Sequence, residues 1–401
     1  TDPDGDAVTV WWDFGDGSGS DLLSPGDHSW EVAGSYTVTF TATDVHGLAD
    51  PTPDSRVVTV ASGTEVTALS VSGPLSVAEG SAAAFTATAT FADGSQRDVT
   101  AEALWSFSSA SAEVASGVLS VGQISADEAG TLSASYQPSE VPAAAGRAVI
   151  LVDGDAALSG SHAGRFDTYQ GPATCISCHP TEAAEAHASV HYQWVGDAFE
   201  AEGLDTALAG KLGGINDFCV FPDINWIGKM TNLDGEVVDG GCSTCHGGLG
   251  LKPTAEATDE QLENVDCLVC HSSDYRRTVE EMDGRLRWVP AVDTMEVGLM
   301  QAATDITPPG RDACLNCHTG AGGGNNFKRG DLEEAHRSPT ASFDVHMASV
   351  ADGGAGLECL DCHTATDHEI AGRGVDLRPR ESAVPVECTD CHPSRPHSSA
   401  D

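Results

Sequence analysis

The chain has 401 residues, enough for two or three domains, and its 61 acidic against 19 basic side chains give a formal charge of −42. Such a surface repels nucleic acid and anionic lipid and suits high salt, cations or basic partners, or simple solubility. No stretch approaches ~18 consecutive apolar residues, so nothing in the sequence reads as a membrane span.

Residues 1–62 read as β-strands. Val8, Val10, Trp12 and Phe14 alternate with Thr9, Trp11 and Asp13, and Tyr36, Val38, Phe40 and Ala42 alternate with Thr37, Thr39 and Thr41. Val58 and Val60 close the segment. Period two with threonine on one side predicts half-buried strands. The run Trp12-Asp13-Phe14-Gly15-Asp16-Gly17-Ser18, with Asp2-Pro3-Asp4-Gly5-Asp6 ahead of it, resembles the hallmark of PKD domains. That resemblance implies an immunoglobulin-like β-sandwich. PKD domains have further strands before this point, so either the chain begins inside a domain or a neighbouring subunit adds a strand at the edge. Asp2, Asp4 and Asp6 offer hard oxygens to Ca²⁺, and a solvated turn accounts for them equally well.

Residues 63–153 form a second β segment. Phe85, Ala87, Ala89 and Phe91 alternate with Thr86, Thr88 and Thr90, Asp93-Gly94 marks a turn, and Leu132, Ala134, Tyr136 and Val149–Leu151 add strands. Phe91-Ala92-Asp93-Gly94-Ser95-Gln96-Arg97-Asp98-Val99-Thr100, followed by Trp105, resembles the bacterial immunoglobulin-like group 2 module, which implies a second sandwich. Residues 154–164 read as a linker.

From residue 165 to 401 the alternation fades and Cys-x-x-Cys-His appears six times. The copies are Cys175-Cys178-His179, Cys242-Cys245-His246, Cys267-Cys270-His271, Cys314-Cys317-His318, Cys359-Cys362-His363 and Cys388-Cys391-His392. They use twelve of the thirteen cysteines. Each is the attachment pattern of a c-type haem: two thiols add to the two vinyl groups, and the adjacent histidine ligates the iron. Six haem c groups in about 240 residues leave roughly 40 residues each, too few to wrap every haem in its own core, so the haems are expected to share a core and touch. Four-cysteine zinc sites have related spacing, but zinc does not explain a histidine after every second cysteine.

Each iron needs a sixth ligand or stays open for chemistry. Beyond the six motif histidines, and His28 and His46 in the first β segment, the chain offers His162, His187, His191, His336, His346, His368 and His397. Seven candidates for six places favour two imidazoles on every iron, which blocks substrate access and gives a low potential. His187 and His191, four apart in a helical sequence, share one face and can serve two neighbouring haems. His346, His368 and His397 take further places. His162 and His336 compete for the last, and the flexible lead-in favours His162; His336 also suits a helix C-terminus without any metal. Met230 and Met347 are the nearest thioether alternatives.

Three local runs accompany the motifs: His187–Tyr192, Gly322–Asp331 and Asp367–Gly374. With them, residues 160–401 resemble the multihaem c-type cytochromes of metal-respiring bacteria. The resemblance implies export, since such haems are attached outside the cytoplasmic membrane, and therefore an extracellular or surface location with the signal peptide absent from this sequence. Some members of the group polymerise into filaments in which a histidine near one subunit's N-terminus ligates a haem of the next, and His162 matches that position. The expected architecture is thus N-terminal all-β Ig-like sandwiches (1–62 and 63–153) followed by a haem-packed, mostly loop and short-helix cytochrome c domain (165–401). The expected function is electron transfer through six bis-histidine haems to extracellular acceptors or other cytochromes, with copies of itself as filament partners. A reductase of nitrogen or sulfur oxyanions with one open haem, and a redox-active adhesin, are the competing readings. Gly322–Gly324 suits close approach of backbone to a haem plane. Arg276, Arg277, Arg329 and Arg373 are either partners for propionates or surface charge. Cys219 reads as a buried inert thiol, with an intermolecular disulfide as the alternative.

Overall fold

The computed structural model describes residues 7–30, 32–60, 65–138, 143–154, 157–193, 195–197, 208–210, 226–231, 235–282, 284–320, 325, 332–370 and 391–392. The chain divides into two compact units. One comprises Thr1–Val71, Thr86–Leu104 and Ala134–Ala145, and the other Ser72–Phe85, Trp105–Ser133 and Gly146–Asp401.

The first unit holds a four-stranded antiparallel sheet of β1 (Val8–Asp13), β2 (Gly19–Ser20), β3 (Gly34–Asp44) and β4 (Asp54–Val60), in the order β2-β1-β3-β4. Its register pairs Val10 with Ala42, Trp12 with Phe40 and Tyr36 with Val58, so the alternating apolar set falls on one face. The Trp12 and Phe40 rings meet at 4.7 Å. The run after β1 is a tight turn: Phe14 N donates to Ser18 O at 3.1 Å, and the Asp13 and Asp16 side chains accept from Gly15 N and Ser18 N at 2.8 and 2.9 Å. Gly15 has φ +76°, and a Cβ there would lie 2.7 Å from Thr37 O, so glycine is required. His28 stacks on Phe14 at 4.0 Å while its Nε2 meets Asp16 Oδ2 at 2.8 Å. Bonds from Ser18 and His28 lower the Asp16 carboxyl to about 2. Hydrogen bonding thus explains the WDFGDGS hallmark as the joint that fixes β1 against its neighbours.

The second β segment continues as β5 (Val66–Ser72), β6 (Ser76–Ala78), β7 (Ala82–Ala84), β8 (Thr86–Phe91), β9 (Gln96–Asp98), β10 (Leu104–Phe107), β11 (Ala112–Ala115), β12 (Val118–Val121), β13 (Glu128–Tyr136) and β14 (Ala143–Val152). In the first unit Ala87 and Ala89 of β8 are buried, and Arg97 of β9 bonds both Glu102 and the Tyr136 hydroxyl.

The second unit contains the chain's largest described sheet, ordered β10-β13-β14-β19-β20, with β6 parallel to β14. Here β19 (Arg277–Met282) and β20 (Arg285–Pro290) form a hairpin between the third and fourth Cys-x-x-Cys-His motifs, joined to β14 at Arg147 and Met282. Sequence reading found no strand there, because arginine and glutamate crowd the hairpin; one buried cross-strand pair, Val279 with Trp288, secures it. Ile150 and Val152 of β14 share a core with Tyr169, Leu268, Tyr275, Leu299 and Met300. Leu268 lies within the third motif, so this core is common to the β module and the motif-bearing stretch. The residues read as a linker are hydrogen-bonded: Ser159 N donates to Gln301 Oε1 and His162 N to Thr304 O, both at 3.0 Å.

The remainder is loops, short strand pairs and short helices. The helices are α1 (Pro172–Ile176), α2 (Pro180–Ala188), α3 (Val190–Gln193), α4 (Asp259–Leu262), α5 (Leu268–His271), α6 (Leu299–Thr304), α7 (Arg311–His318) and α8 (Cys359–Cys362). Among the described residues no helix is long and apolar enough to cross a membrane.

Candidate functional site

Each fully described motif is wound into about one helical turn, which puts both thiols and the following imidazole on one side. The first occupies the end of α1, the second a 3₁₀ turn at Cys242–Thr244, and the third, fourth and fifth lie in α5, α7 and α8. In three of them the histidine N–H closes the turn onto the first cysteine: His179 to Cys175 O at 2.8 Å, His271 to Cys267 O at 3.1 Å, and His363 to Cys359 O at 2.8 Å. Among the described residues all eleven cysteines are free thiols. Of the sixth motif, Cys391 and His392 are described; Cys388 lies outside the described residues, as do Cys219, His397, Asp2, Asp4, Asp6, Gly322–Gly324, Arg329 and Arg373.

Four motif histidines face a second histidine from elsewhere in the chain. His179 faces His162 with ring centres 6.0 Å apart, His318 faces His191 at 6.4 Å, His271 faces His368 at 6.3 Å, and His392 faces His346 at 6.0 Å. Two imidazoles bound through nitrogen to opposite sides of one metal, at ~2.0 Å each plus about 1.1 Å from nitrogen to ring centre, would stand about 6.2 Å apart. The observed spacings therefore fit a pair of axial ligands. Edge-to-face rings also lie ~4.5–7 Å apart, so what marks these four pairs is that each includes the histidine of a Cys-x-x-Cys-His motif. Among the described residues no three His, Cys, Asp or Glu side chains gather to hold a bare metal ion. A porphyrin supplies four of the iron's six donors, so two imidazoles are what it asks of the protein.

The far nitrogens of several of these rings are already engaged. His271 Nδ1 meets Thr307 O at 3.0 Å, His368 Nδ1 meets Glu185 Oε2 at 3.2 Å, and His162 Nδ1 meets Ser161 Oγ at 2.9 Å. An acceptor on Nδ1 fixes the ring and leaves Nε2 for a metal. Burial lowers the pKa of His191 and His271, helped by their facing histidines, and so favours the neutral imidazole that ligation requires. His162, Thr307, Pro308, Leu360 and His271 line one cavity of about 600 Å³, within the range of cofactor sites.

His187, four residues before His191 in sequence, is buried, with its Nε2 unbonded among the described residues. It packs on Tyr192 at 5.1 Å, and Tyr192 in turn packs on His246 at 4.7 Å. Burial pushes the His246 pKa down to about 3. The Tyr192 hydroxyl donates to Gln261 Oε1 and accepts from Asn264 Nδ2, both at 2.8 Å. This buried network fixes the second motif, and nothing in the spacing of the sequence pointed to it. His336 sits on a 3₁₀ turn with Nδ1 at 3.0 Å from Glu333 O and its ring against Phe343.

Arg277 is largely buried and engaged with protein groups. Its guanidinium pairs with buried Asp266 at 3.1 Å, donates to Gly248 O, Ser243 O and Thr244 O, and lies 4.6 Å over the Trp288 ring. Trp288 Nε1 donates to Ser243 Oγ at 2.9 Å. One buried cation therefore ties the loop of the second motif to the residue that precedes Cys267. The neighbouring Arg276 bonds Ser273 O and Tyr275 O.

A PKD-domain family profile matches residues 1–60, in agreement with the turn geometry above. An uncharacterized protein of Archaeoglobus fulgidus is 33% identical over 246 residues, covering 53% of this chain and 79% of that protein. The chain belongs to the family of that archaeal protein. A microbial collagenase of Vibrio alginolyticus is 38% identical over 65 residues, which are 16% of this chain and 8% of the collagenase. Among solved structures, Drosophila N-cadherin EC1-4 aligns with 37% of this chain and 42% of its own at 14% identity and a TM-score of 0.22. A SusE-like surface located polysaccharide binding protein of Bacteroides thetaiotaomicron aligns with 30% and 24% at 11% identity and a TM-score of 0.19.

Proposed function

We propose that this member of the family is an electron carrier with six covalently bound c-type haems, each held between two imidazoles, working outside the cytoplasmic membrane. The observation that supports the reading is the set of four facing histidine pairs, each joining a motif histidine to one 17 to 127 residues away at a spacing that fits two ligands of one iron. The haem iron supplies one-electron chemistry, and the protein supplies attachment, axial ligation and the exclusion of water. Cys175, Cys178, Cys242, Cys245, Cys267, Cys270, Cys314, Cys317, Cys359, Cys362, Cys388 and Cys391 carry the thioethers. Imidazole on both sides leaves no coordination site for a substrate, which favours a carrier over an oxyanion reductase. Covalent haem attachment and the PKD domain support a location outside the cytoplasm. Extracellular acceptors and other cytochromes are the matching partners. Assembly into a filament extends this reading.

The test is haem counting by pyridine haemochrome with electron paramagnetic resonance on the oxidised protein. Six haems per chain, all low-spin and unmoved by nitrite or sulfite, are expected. Fewer haems, or a high-spin ferric signal that shifts with either anion, overturns the reading. Electron micrographs of the same sample test the filament.

A further inference from the structure

The motifs are not arranged in space as they are in sequence. Helix α7, which carries the fourth motif, meets three others. Toward the second motif, Cys245 Sγ lies 3.8 Å from Cys317 O, and Cys317 Sγ lies 3.9 Å from Thr244 O. Toward the third, α7 packs directly on α5. Toward the fifth, Arg311 at the start of α7 grips the residues that introduce α8: its N and Nη2 donate to the Glu358 carboxylate at 3.0 Å, and Nη2 donates to Leu357 O at 2.9 Å. The two ends of α7 thus look to different neighbours, Cys317 to the second motif and Arg311 to the residues that lead into the fifth. The first motif reaches the third, where Cys175 packs on the core around Leu268.

This inference rests on the haem reading. A motif's thiols mark the edge of the haem they bind, so packing of two motifs against each other brings two haem edges near one another. We propose that the haem bound through Cys314 and Cys317 is a junction at which the array forks, adjoining the haems of the second, third and fifth motifs, while the first motif stands at an end behind the third. The electron route then departs from sequence order, and one haem gates passage among three arms.

The experiment compares two variants of the haem-loaded protein, Cys314→Ala/Cys317→Ala and Cys175→Ala/Cys178→Ala, by haem count and by electron paramagnetic resonance of the oxidised form. Ferric haems in contact broaden each other's signals. Loss of the fourth haem should sharpen the signals of three others, and loss of the first should sharpen one. In a third variant, His191→Met, all six haems stay attached, and the one opposite His191 gains the higher potential of His/Met ligation. When this variant is titrated with dithionite, that haem takes the first electron and becomes diamagnetic, and three signals should sharpen together even if the deletion variants misfold. Equal sharpening in the two deletions, or a single sharpened signal in His191→Met, overturns the junction. A wild-type count below six haems tells instead against the haem reading itself.

Discussion

The sheet formed by β1 to β4 and the stretch that carries the motifs keep their shape by different means. The sheet is an alternating sequence whose backbone ladders run unbroken from Val8↔Asp44 to Asp13↔Thr39 and from Gly34↔Val60 to Phe40↔Asp54. Its paired residues lie 14 to 36 positions apart in these two ladders, but a period-two pattern in each strand marks them. The motif stretch has no described helix longer than nine residues, shorter than a helix that is stable alone in water. It is held by side chains that reach far in sequence: Gln170 bonds Leu75 and Ser76, Arg277 bonds Thr244 and Asp266, and Arg311 bonds Glu358. Local period suffices for the first region. The second needs specific long-range bonds, and on the reading above it needs its covalent groups as well.

The sharpest way to break this contrast is to remove those groups. Replacing the motif cysteines by alanine should abolish protease resistance from residue 157 onward while a fragment containing β1 to β4 survives; equal survival of both regions would erase the distinction. The next largest effect is expected from Arg277→Ala. It strands a buried carboxylate and should cost about 3–5 kcal/mol in denaturant unfolding. The effect has a pH signature. Burial raises the Asp266 pKa, and Arg277 pulls it back down. The folded chain thus binds that proton more tightly than the unfolded one, so the stability it lends is present below the ordinary carboxylate value and is lost as pH rises through the folded value. Without Arg277 the folded value climbs further, and the variant's deficit should be larger at pH 7 than at pH 5. An equal deficit at both would show that Asp266 is not the group left behind.

Tyr192→Phe keeps the ring between His187 and His246 and removes only the hydroxyl. About 1–2 kcal/mol of stability should go, read as a lower thermal midpoint, because Asn264 and Gln261 each lose a partner. No change would mean that the ring alone fixes the second motif. The smallest effect belongs to the sheet. Asp16 is held at about 2 by bonds from Ser18 and His28, so its contribution is present above the ordinary value of 3.8 and is lost as pH falls toward about 2. Asp16→Asn should flatten that acid limb for residues 13–28 in NMR titration and leave the motif stretch untouched.

These contrasts also mark how far the sequence could be read. The strands of residues 8–60 were legible because period two needs no knowledge of distant residues, and the PKD hallmark is a local turn whose bonds span four residues. The six motifs were legible for the same reason: each folds within one helical turn. The hairpin Arg277–Pro290 was not legible, since arginine and glutamate crowd it and its buried residues, Val279 and the consecutive Trp288, Val289 and Pro290, show no period of two. The clamp of Arg277 on Asp266 and the Tyr192 network were equally hidden, because their partners lie 11 and 69–72 residues away.

The sequence by itself determined the composition of the two regions, the six Cys-x-x-Cys-His motifs on which the proposed haem attachment rests, and the list of histidines outside them. Tertiary structure alone decided which histidine faces which: His162 with His179, His191 with His318, His368 with His271 and His346 with His392. The physical reason is range. A helical turn or a strand ladder is specified by residues a few positions apart. Two imidazoles up to 127 residues apart meet only when the core around Ile150, Leu268 and Leu299 and the buried Arg277 bring their backbones together.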